Sequence, residues 1–404
     1  MLSLLLSMVV MTGGLTAGAT PDPTYLVILG PPEQFSAQFP PSAPDSARQI
    51  ASGQMLFTLG TPVADLRHQV EAALDTAEKT GYPLLLHVDD WNFPPPSTDP
   101  EWVEWTAFPR PGEAHGPLVR RRWINWGSWM VAGPPPNYES PKFRAYARTQ
   151  IEDGVVKPLA EHLKVWQKDG RAYLFAGLVV GWESGYYSMP GPTPNPRPVA
   201  GKDTFDDSEV VTTGYAALTH RGWTAERLTA EAKTRGITEQ ALFRELMCGV
   251  VHDYTAYLCG LCVREGLPRD RLYTHYTAYA TIADQATIAG DGRLLPVATG
   301  VNDFSRPGLT MTQPWTDRDK AVAQLRAAGR REWGAVELEI TPGARTEEAI
   351  LEHFDWLAGH GARVLCLFGW WDPEGSTFGV KGTGAVPAIK RWLAEPSSSK
   401  PPQD

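Results

Sequence analysis

A chain of 404 residues, 42% hydrophobic and 21% charged, is long enough to bury a full core and has the balance of a soluble globular protein, which excludes disorder and membrane spanning as its organising principle. Its net charge of -9, with no basic cluster beyond Arg120 to Arg122, argues against a nucleic-acid partner. The unusual number is 15 Trp, which needs either a very large core or an aromatic surface that stacks on sugar rings.

The first residues predict an export signal, with an apolar run from Leu2 to Met11 and then Ala17-Gly18-Ala19, a cleavage site of the A-x-A type. On this reading residues 1–19 are removed and the protein is secreted or periplasmic; the run is too short to span a membrane. No Lys or Arg precedes it, so a mis-assigned start is the alternative.

Short apolar runs then follow at Tyr25 to Leu29, Leu84 to Val88, Trp123 to Trp126, Tyr173 to Gly181, Leu272 to Tyr276, Leu294 to Ala298, Ala335 to Ile340 and Val364 to Phe368. Amphipathic stretches lie between them at 62–80, 141–168, 238–265, 316–330 and 346–360, and another at 384–394 follows the last run. This alternation predicts an α/β fold, a (β/α)8 TIM barrel over residues 20–394 with a long insertion after the fourth strand and a Pro/Ser-rich flexible tail at 395–404. A doubly wound open sheet is the alternative. It would need a Gly-rich phosphate loop after the first strand, and Gly30-Pro31-Pro32-Glu33 cannot serve as one.

The insertion, Gly185 to Trp223, is rich in Pro and Gly, and its length predicts an active-site lid or subsite wall. Its acids Asp203, Asp206, Asp207 and Glu209 match no EF-hand spacing, which favours a solvated acidic turn over a calcium site. Four cysteines make no disulfide framework in a chain this long. Cys259 and Cys262 share a helical pattern with Cys248, which lies about 16 Å further back along the axis, beyond bridging reach. Reduced, buried thiols are expected.

Barrel chemistry is sited at the C-terminal ends of the strands. The fourth run ends Gly181-Trp182-Glu183-Ser184-Gly185-Tyr186-Tyr187. A carboxylate there is either a solvated loop charge or an active-site acid, and the flanking Trp and Tyr, which would desolvate it, favour the acid. In the seventh run strand alternation turns Val336, Leu338 and Ile340 to the helices and both Glu337 and Glu339 into the barrel. Two inward carboxylates are costly, so they are either paired with an inward cation or functional. Glu337, two residues earlier, is expected to sit one layer deeper in a structural or orienting role.

Other strand ends supply candidate binding groups: His87, Asp89, Asp90 and Trp91; Asn125 and Trp126; His275 and Tyr276; Asn302 and Asp303; Trp370 and Trp371. Each alone is more often a loop hydrogen-bonder, but together with Trp182 and Tyr186 they offer rings for C–H faces and short polar groups for hydroxyls. A catalytic metal would need several histidines at strand ends, and only His275 joins His87, so no metal or cofactor is expected.

Glutamates ending the fourth and seventh strands, with Trp370-Trp371 beyond the eighth, resemble the clan A glycoside hydrolases. That resemblance implies an O-glycosyl hydrolase in which Glu183 is the acid/base and Glu339 the nucleophile of a retaining mechanism. Many members of the clan have Asn before the acid/base, where this chain has Trp182, so recognition of the sugar 2-hydroxyl would be organised differently. The segment Glu183-Ser184-Gly185-Tyr186-Tyr187 is also similar to the inverting β-amylases. Three readings stay open: a retaining glycosidase, an inverting one in which a carboxylate such as Asp89 or Asp303 activates water, and a non-catalytic carbohydrate-binding barrel. The expected partner in each is an oligosaccharide, polysaccharide or glycoside.

Overall fold

The computed structural model describes residues 22–90, 94–119, 122–125, 129–185, 213–277, 295–313, 318–371 and 379–395. Residues 1–19, read above as an export signal, most of the insertion and its acids, and residues 396–404 lie outside the described residues. In chain order the strands are β1 (Thr24–Leu29), β2 (Arg48–Phe57), β3 (Leu84–Asp89), β4 (Arg122–Asn125), β5 (Trp129–Ala132), β6 (Phe175–Val180), β7 (Leu272–Thr274), β8 (Tyr276–Thr277), β9 (Gly308–Gln313), β10 (Trp333–Ile340) and β11 (Ala362–Leu367). All except the antiparallel pair β4–β5 join one parallel sheet in the order β7-β6-β3-β2-β1-β11-β10-β9-β8.

The two ends of that sheet are neighbours in the chain. β7 and β8 flank His275 and act as one broken strand, pairing with β6 on one side and β9 on the other. Eight parallel strands thus form a nearly closed (β/α)8 barrel.

The helices are α1 (Val63–Thr80), α2 (Pro141–Ile151), α3 (Lys157–Lys168), α4 (Tyr215–His220), α5 (Ala225–Arg235), α6 (Glu239–Arg264), α7 (Arg318–Ala327), α8 (Glu347–Gly359) and α9 (Ala385–Ala394). In α1, Leu66, Val70, Leu74 and Ala77 fall on one stripe and are buried against the sheet, so this helix is fixed by its period. The single helix expected over 141–168 is divided into α2 and α3 by a π turn at Glu152–Val156. Pro158 accounts for the break, because it lacks an N–H for the helical ladder. α6 is long and apolar enough to cross a membrane, yet Leu242, Val250, Leu258 and Leu261 bury its apolar side in the core.

Two departures from the expected strands offset each other. The run at 123–126 belongs to the β4–β5 hairpin outside the barrel, while the second barrel strand is β2, in the stretch where no element stood out. Leu294 to Ala298 is not the sixth strand either: Val297–Gly300 forms a 3-10 turn and β9 takes that place. The fourth and seventh barrel strands therefore remain the ones that carry Glu183 and the Glu337–Glu339 pair.

The core has two layers. Tyr25, Val27, Ala51, Leu85, Val179, Tyr273, Val336 and Val364 fill the barrel interior, and larger clusters lie between strands and helices. Each valine or leucine among them contributes roughly 1.5–3 kcal/mol on full burial. At the N-terminal floor Arg271 and Arg306 pair with Asp22, and Arg306 and Arg363 with Glu332. One buried acid ties the excursion after β3 to the return of the insertion: Glu104, fully buried, accepts hydrogen bonds from Ala216 N at 3.0 Å and Ala217 N at 3.2 Å, at the first turn of α4.

Candidate active site

Strand β6 ends at Val180, and the chain leaves the barrel through Gly181, Trp182, Glu183 and Ser184. Gly181 has φ 96, and a Cβ placed there would lie 2.6 Å from Ser184 Oγ, so glycine is required twice over. Glu183 itself has φ 49, the only positive φ of a non-glycine among the described residues. A left-handed conformation costs a side-chain-bearing residue about 1–3 kcal/mol and persists where surrounding groups over-determine it. Glu183 is 7% exposed at the C-terminal mouth.

The seventh barrel strand reaches the same mouth by a different device. The ladder slips between Ala335 and Glu337 on the β9 side and between Ala335 and Leu338 on the β11 side, so β10 carries a bulge with Val336 as the extra residue. Trp333 and Ala335 before the bulge, and Leu338 and Ile340 after it, pack among the helices, whereas Val336 packs inside the barrel. The alternation expected from the sequence was therefore wrong for Val336. It holds from Glu337 onward: Glu337 is buried in the interior, and Glu339, two residues on, is half-buried nearer the rim.

Between the two strands lies a chain of hydrogen bonds. Thr310 Oγ1 of β9 donates to Glu183 Oε1 at 3.0 Å and sits 2.7 Å from His275 Nε2. With the hydroxyl proton directed to Glu183, Thr310 accepts from His275, which must then carry its proton on Nε2. His275 Nδ1 in turn lies 3.0 Å from His87 Nε2 and accepts from it. His275 Nε2 is also 3.4 Å from Glu337 Oε2. Burial holds both imidazoles neutral, pushing His87 down to about 3 and His275 well below the usual imidazole range, where the neighbouring His87 adds to the effect. Donors thus run from β3 through the broken fifth strand and β9 to Glu183.

One atom each from Glu183, His275 and Glu337 lies within 4.8 Å of the other two. Two carboxylates and an imidazole at this spacing could hold a divalent cation. The same atoms could equally face a substrate from opposite sides.

Aromatic groups extend outward from this centre. The His87 ring stacks on Trp182 at 4.2 Å, Trp182 meets Phe368 at 6.3 Å, and Phe368 meets Trp371 at 5.1 Å. Trp371 is 38% exposed and, with Leu29, Gly30, Gln34, Gln38 and Trp370, borders a cavity of about 720 Å³ at the ends of β1 and β11. No family model matches the chain, and no curated protein matches its sequence.

Several residues expected in the site are elsewhere. Tyr276 faces outward, buried against α6 with its hydroxyl on Thr255 Oγ1. Asn302 and Asp303 precede β9 and so lie toward the N-terminal floor: Asn302 caps a local turn through Ser305 and Phe304 N, and Asp303 pairs with Arg330 at 3.2 Å. Their sixth-strand placement failed because β9 starts later than the run taken for that strand. Trp370 packs edge-on against Phe39 and is 3% exposed, leaving Trp371 as the accessible indole of the pair. Asn125 lies in the β4–β5 hairpin, away from the barrel sheet. Asp89 is buried at the end of β3. Asp90 is buried too, and its carboxyl is pushed up to about 7 by burial first and by the Asp89 charge second. Trp91, Trp126 and Tyr186 lie outside the described residues.

The residue missed altogether is Thr310. Its signal was legible in Gly308-Leu309-Thr310-Met311-Thr312, an alternating apolar and polar stretch of strand type.

Proposed function

We propose that this protein is a glycoside hydrolase of the (β/α)8 type, with Glu183 as acid/base and Glu337, rather than Glu339, as the nucleophile. The observation that carries this reading is the close approach of the Glu183 and Glu337 carboxylates, within 4.8 Å, at the ends of the fourth and seventh barrel strands. Retaining glycosidases hold their two carboxyl groups about 5–5.5 Å apart, whereas inverting ones need about 6.5–9.5 Å for a water. In the proposed reaction Glu183 protonates the glycosidic oxygen as Glu337 attacks the anomeric carbon, forming a glycosyl-enzyme. Water, deprotonated by Glu183, then releases the sugar. His275, whose Nε2 lies 3.4 Å from Glu337 Oε2, packs beside the attacking carboxylate. Trp371, with Phe368 edge-on beside it, supplies an exposed apolar face of the kind pyranose rings stack on.

The test is hydrolysis of a panel of 4-nitrophenyl glycosides followed by natural oligosaccharides, with Glu183→Gln as control. Release of 4-nitrophenol by the wild type and its loss in the variant supports the proposal; oligosaccharide binding without turnover by the wild type transfers the site to a carbohydrate-binding role.

A second reading rests on the Glu183–His275–Glu337 cluster, which could hold a divalent cation for metal-assisted hydrolysis. Dialysis against EDTA separates the two: activity that survives supports the carboxylate mechanism, and activity that is lost and returns with added zinc or manganese supports the cation.

A further inference from the structure

The turn that presents Glu183 is held from behind by a residue on another strand. Asp90, the residue after β3, is 1% exposed, and its Oδ1 accepts a hydrogen bond from Ser184 Oγ at 3.1 Å. Ser184 is itself 1% exposed and directly follows the left-handed Glu183. Its hydroxyl also fills the space beside Gly181, where an added Cβ would lie 2.6 Å from Ser184 Oγ and 3.8 Å from Asp90 Oδ1. The turn is therefore pinned at two points on opposite sides, by Thr310 on the Glu183 carboxylate and by Asp90 on Ser184.

Buried to this degree, Asp90 has no face to offer a ligand, so it cannot act on substrate directly. Nor does it fit a role in packing alone, because a buried carboxyl is costly where an amide or an apolar group would fill the same space. We propose that Asp90 is a positioning residue which, by holding Ser184, keeps the Glu183 backbone in its left-handed conformation and so aims the Glu183 carboxylate toward Glu337. The groups that face Asp90 are Asp89 beside it, Ser184 on the turn, Tyr254 and Cys259 of α6 and Tyr276 of β8. None of these is a cation, so among the described residues the carboxyl depends on hydroxyl donors, Ser184 on the turn and Tyr254 from α6.

The kinetic part of this inference rests on the glycoside hydrolase reading, whereas the tether itself does not, and the experiment separates them. Hydrogen–deuterium exchange is followed by mass spectrometry in the peptide spanning 175–185, with β10 peptides as internal reference, in Asp90→Ala, Ser184→Ala and Asp90→Asn proteins. Loss of a hydrogen bond to a buried carboxylate should speed exchange in that peptide about 10- to 100-fold in both alanine variants. Asp90→Asn, which keeps an acceptor for Ser184, should stay within about threefold of wild type. If exchange at 175–185 is unchanged in Ser184→Ala, the tether does not exist, whatever becomes of Asp90→Ala. On a 4-nitrophenyl glycoside that the wild type hydrolyses, Asp90→Ala should lower kcat about 10- to 100-fold with KM within about threefold, and Asp90→Asn should restore most of it. Equal loss in Ala and Asn variants overturns the positioning role. A wild type inert toward every glycoside sinks the proposed function and leaves the exchange result to decide the tether.

Discussion

An oxygen of Glu183 and an oxygen of Glu337 lie within 4.8 Å of each other, although the first follows the fourth barrel strand and the second sits on the seventh. Glu339, nearer the rim and half-buried, is displaced outward from this pair by one step of the same strand face. Glu337→Gln should therefore lower kcat by at least as much as Glu183→Gln, for which about 10²–10⁴-fold is expected. Glu339→Gln should cost about tenfold or less, mostly in KM. Turnover of an aryl glycoside by the three variants decides it: a dead Glu339→Gln beside an active Glu337→Gln returns the nucleophile to Glu339.

The same separation sets the stereochemistry. An approach within 4.8 Å is shorter than the roughly 6.5–9.5 Å of inverting enzymes, so on the proposed mechanism the first-formed sugar should keep the anomeric configuration of the substrate. Proton NMR during the first minutes of hydrolysis reads this directly. An inverted product would make Glu337 a base acting through water.

The buried histidines and Asp90 give stability a pH dependence with opposite signs. His87 is pushed down to about 3 and His275 well below the usual range, so below about pH 6.5 the unfolded chain binds protons that the folded one refuses. Stability should fall as pH drops from 6.5 toward 3, by up to about 1.4 kcal/mol per pH unit for each histidine. Asp90 does the reverse: with its folded carboxyl raised to about 7, stability is fullest below about pH 4 and declines as pH rises to 7. Urea midpoints measured from pH 4 to 8 should show Asp90→Asn gaining on wild type toward the alkaline end. Parallel profiles for the two proteins would mean that Asp90 does not titrate in this range.

Glu104 offers a test of how the excursions are anchored. Its carboxylate takes two backbone N–H groups at the start of α4, and hydrogen bonds to a buried charge contribute about 1.5–3 kcal/mol each. Glu104→Ala should destabilise the protein by about 2–4 kcal/mol and open 213–220 to proteolysis while leaving the barrel strands protected. Uniform deprotection across all strands would instead make this anchor part of the global fold.

Most of the barrel was legible because buried parallel strands read as apolar runs, as in Leu84-Leu85-Leu86 and Phe175 to Val180, and because helices such as α1 keep a strict period. β2 was hidden because Arg48-Gln49-Ile50-Ala51-Ser52-Gly53-Gln54 carries few large apolar residues. Its interior-facing Ala51 and Gly53 are small where β1 packs close, Val27 and Leu29 lying within 3.0 Å of a Cβ at Gly53. Within the site, strand ends identified Glu183, His87, His275 and Glu337 as candidates, since position along a strand is a local property. Which of two glutamates meets Glu183 is not local: it depends on the phase of β10 against its neighbours, and that phase is set by a bulge at Val336, not at the strand's one glycine, Gly334, two residues earlier. The strained turn was equally silent, because Glu183 adopts it under constraint from Thr310 and Asp90, both far from it in the chain.

The bulge at Val336 also divides β10 into two stretches that follow opposite rules of tolerance. On the floor side, odd-numbered positions such as 333 and 335 are the ones that demand apolar side chains against the helices; beyond it the demand passes to the even-numbered 338 and 340. A substitution scan along this strand would therefore reverse its parity part-way. Any homologue compared with this chain will align correctly at its glutamates only if that extra residue is given its place.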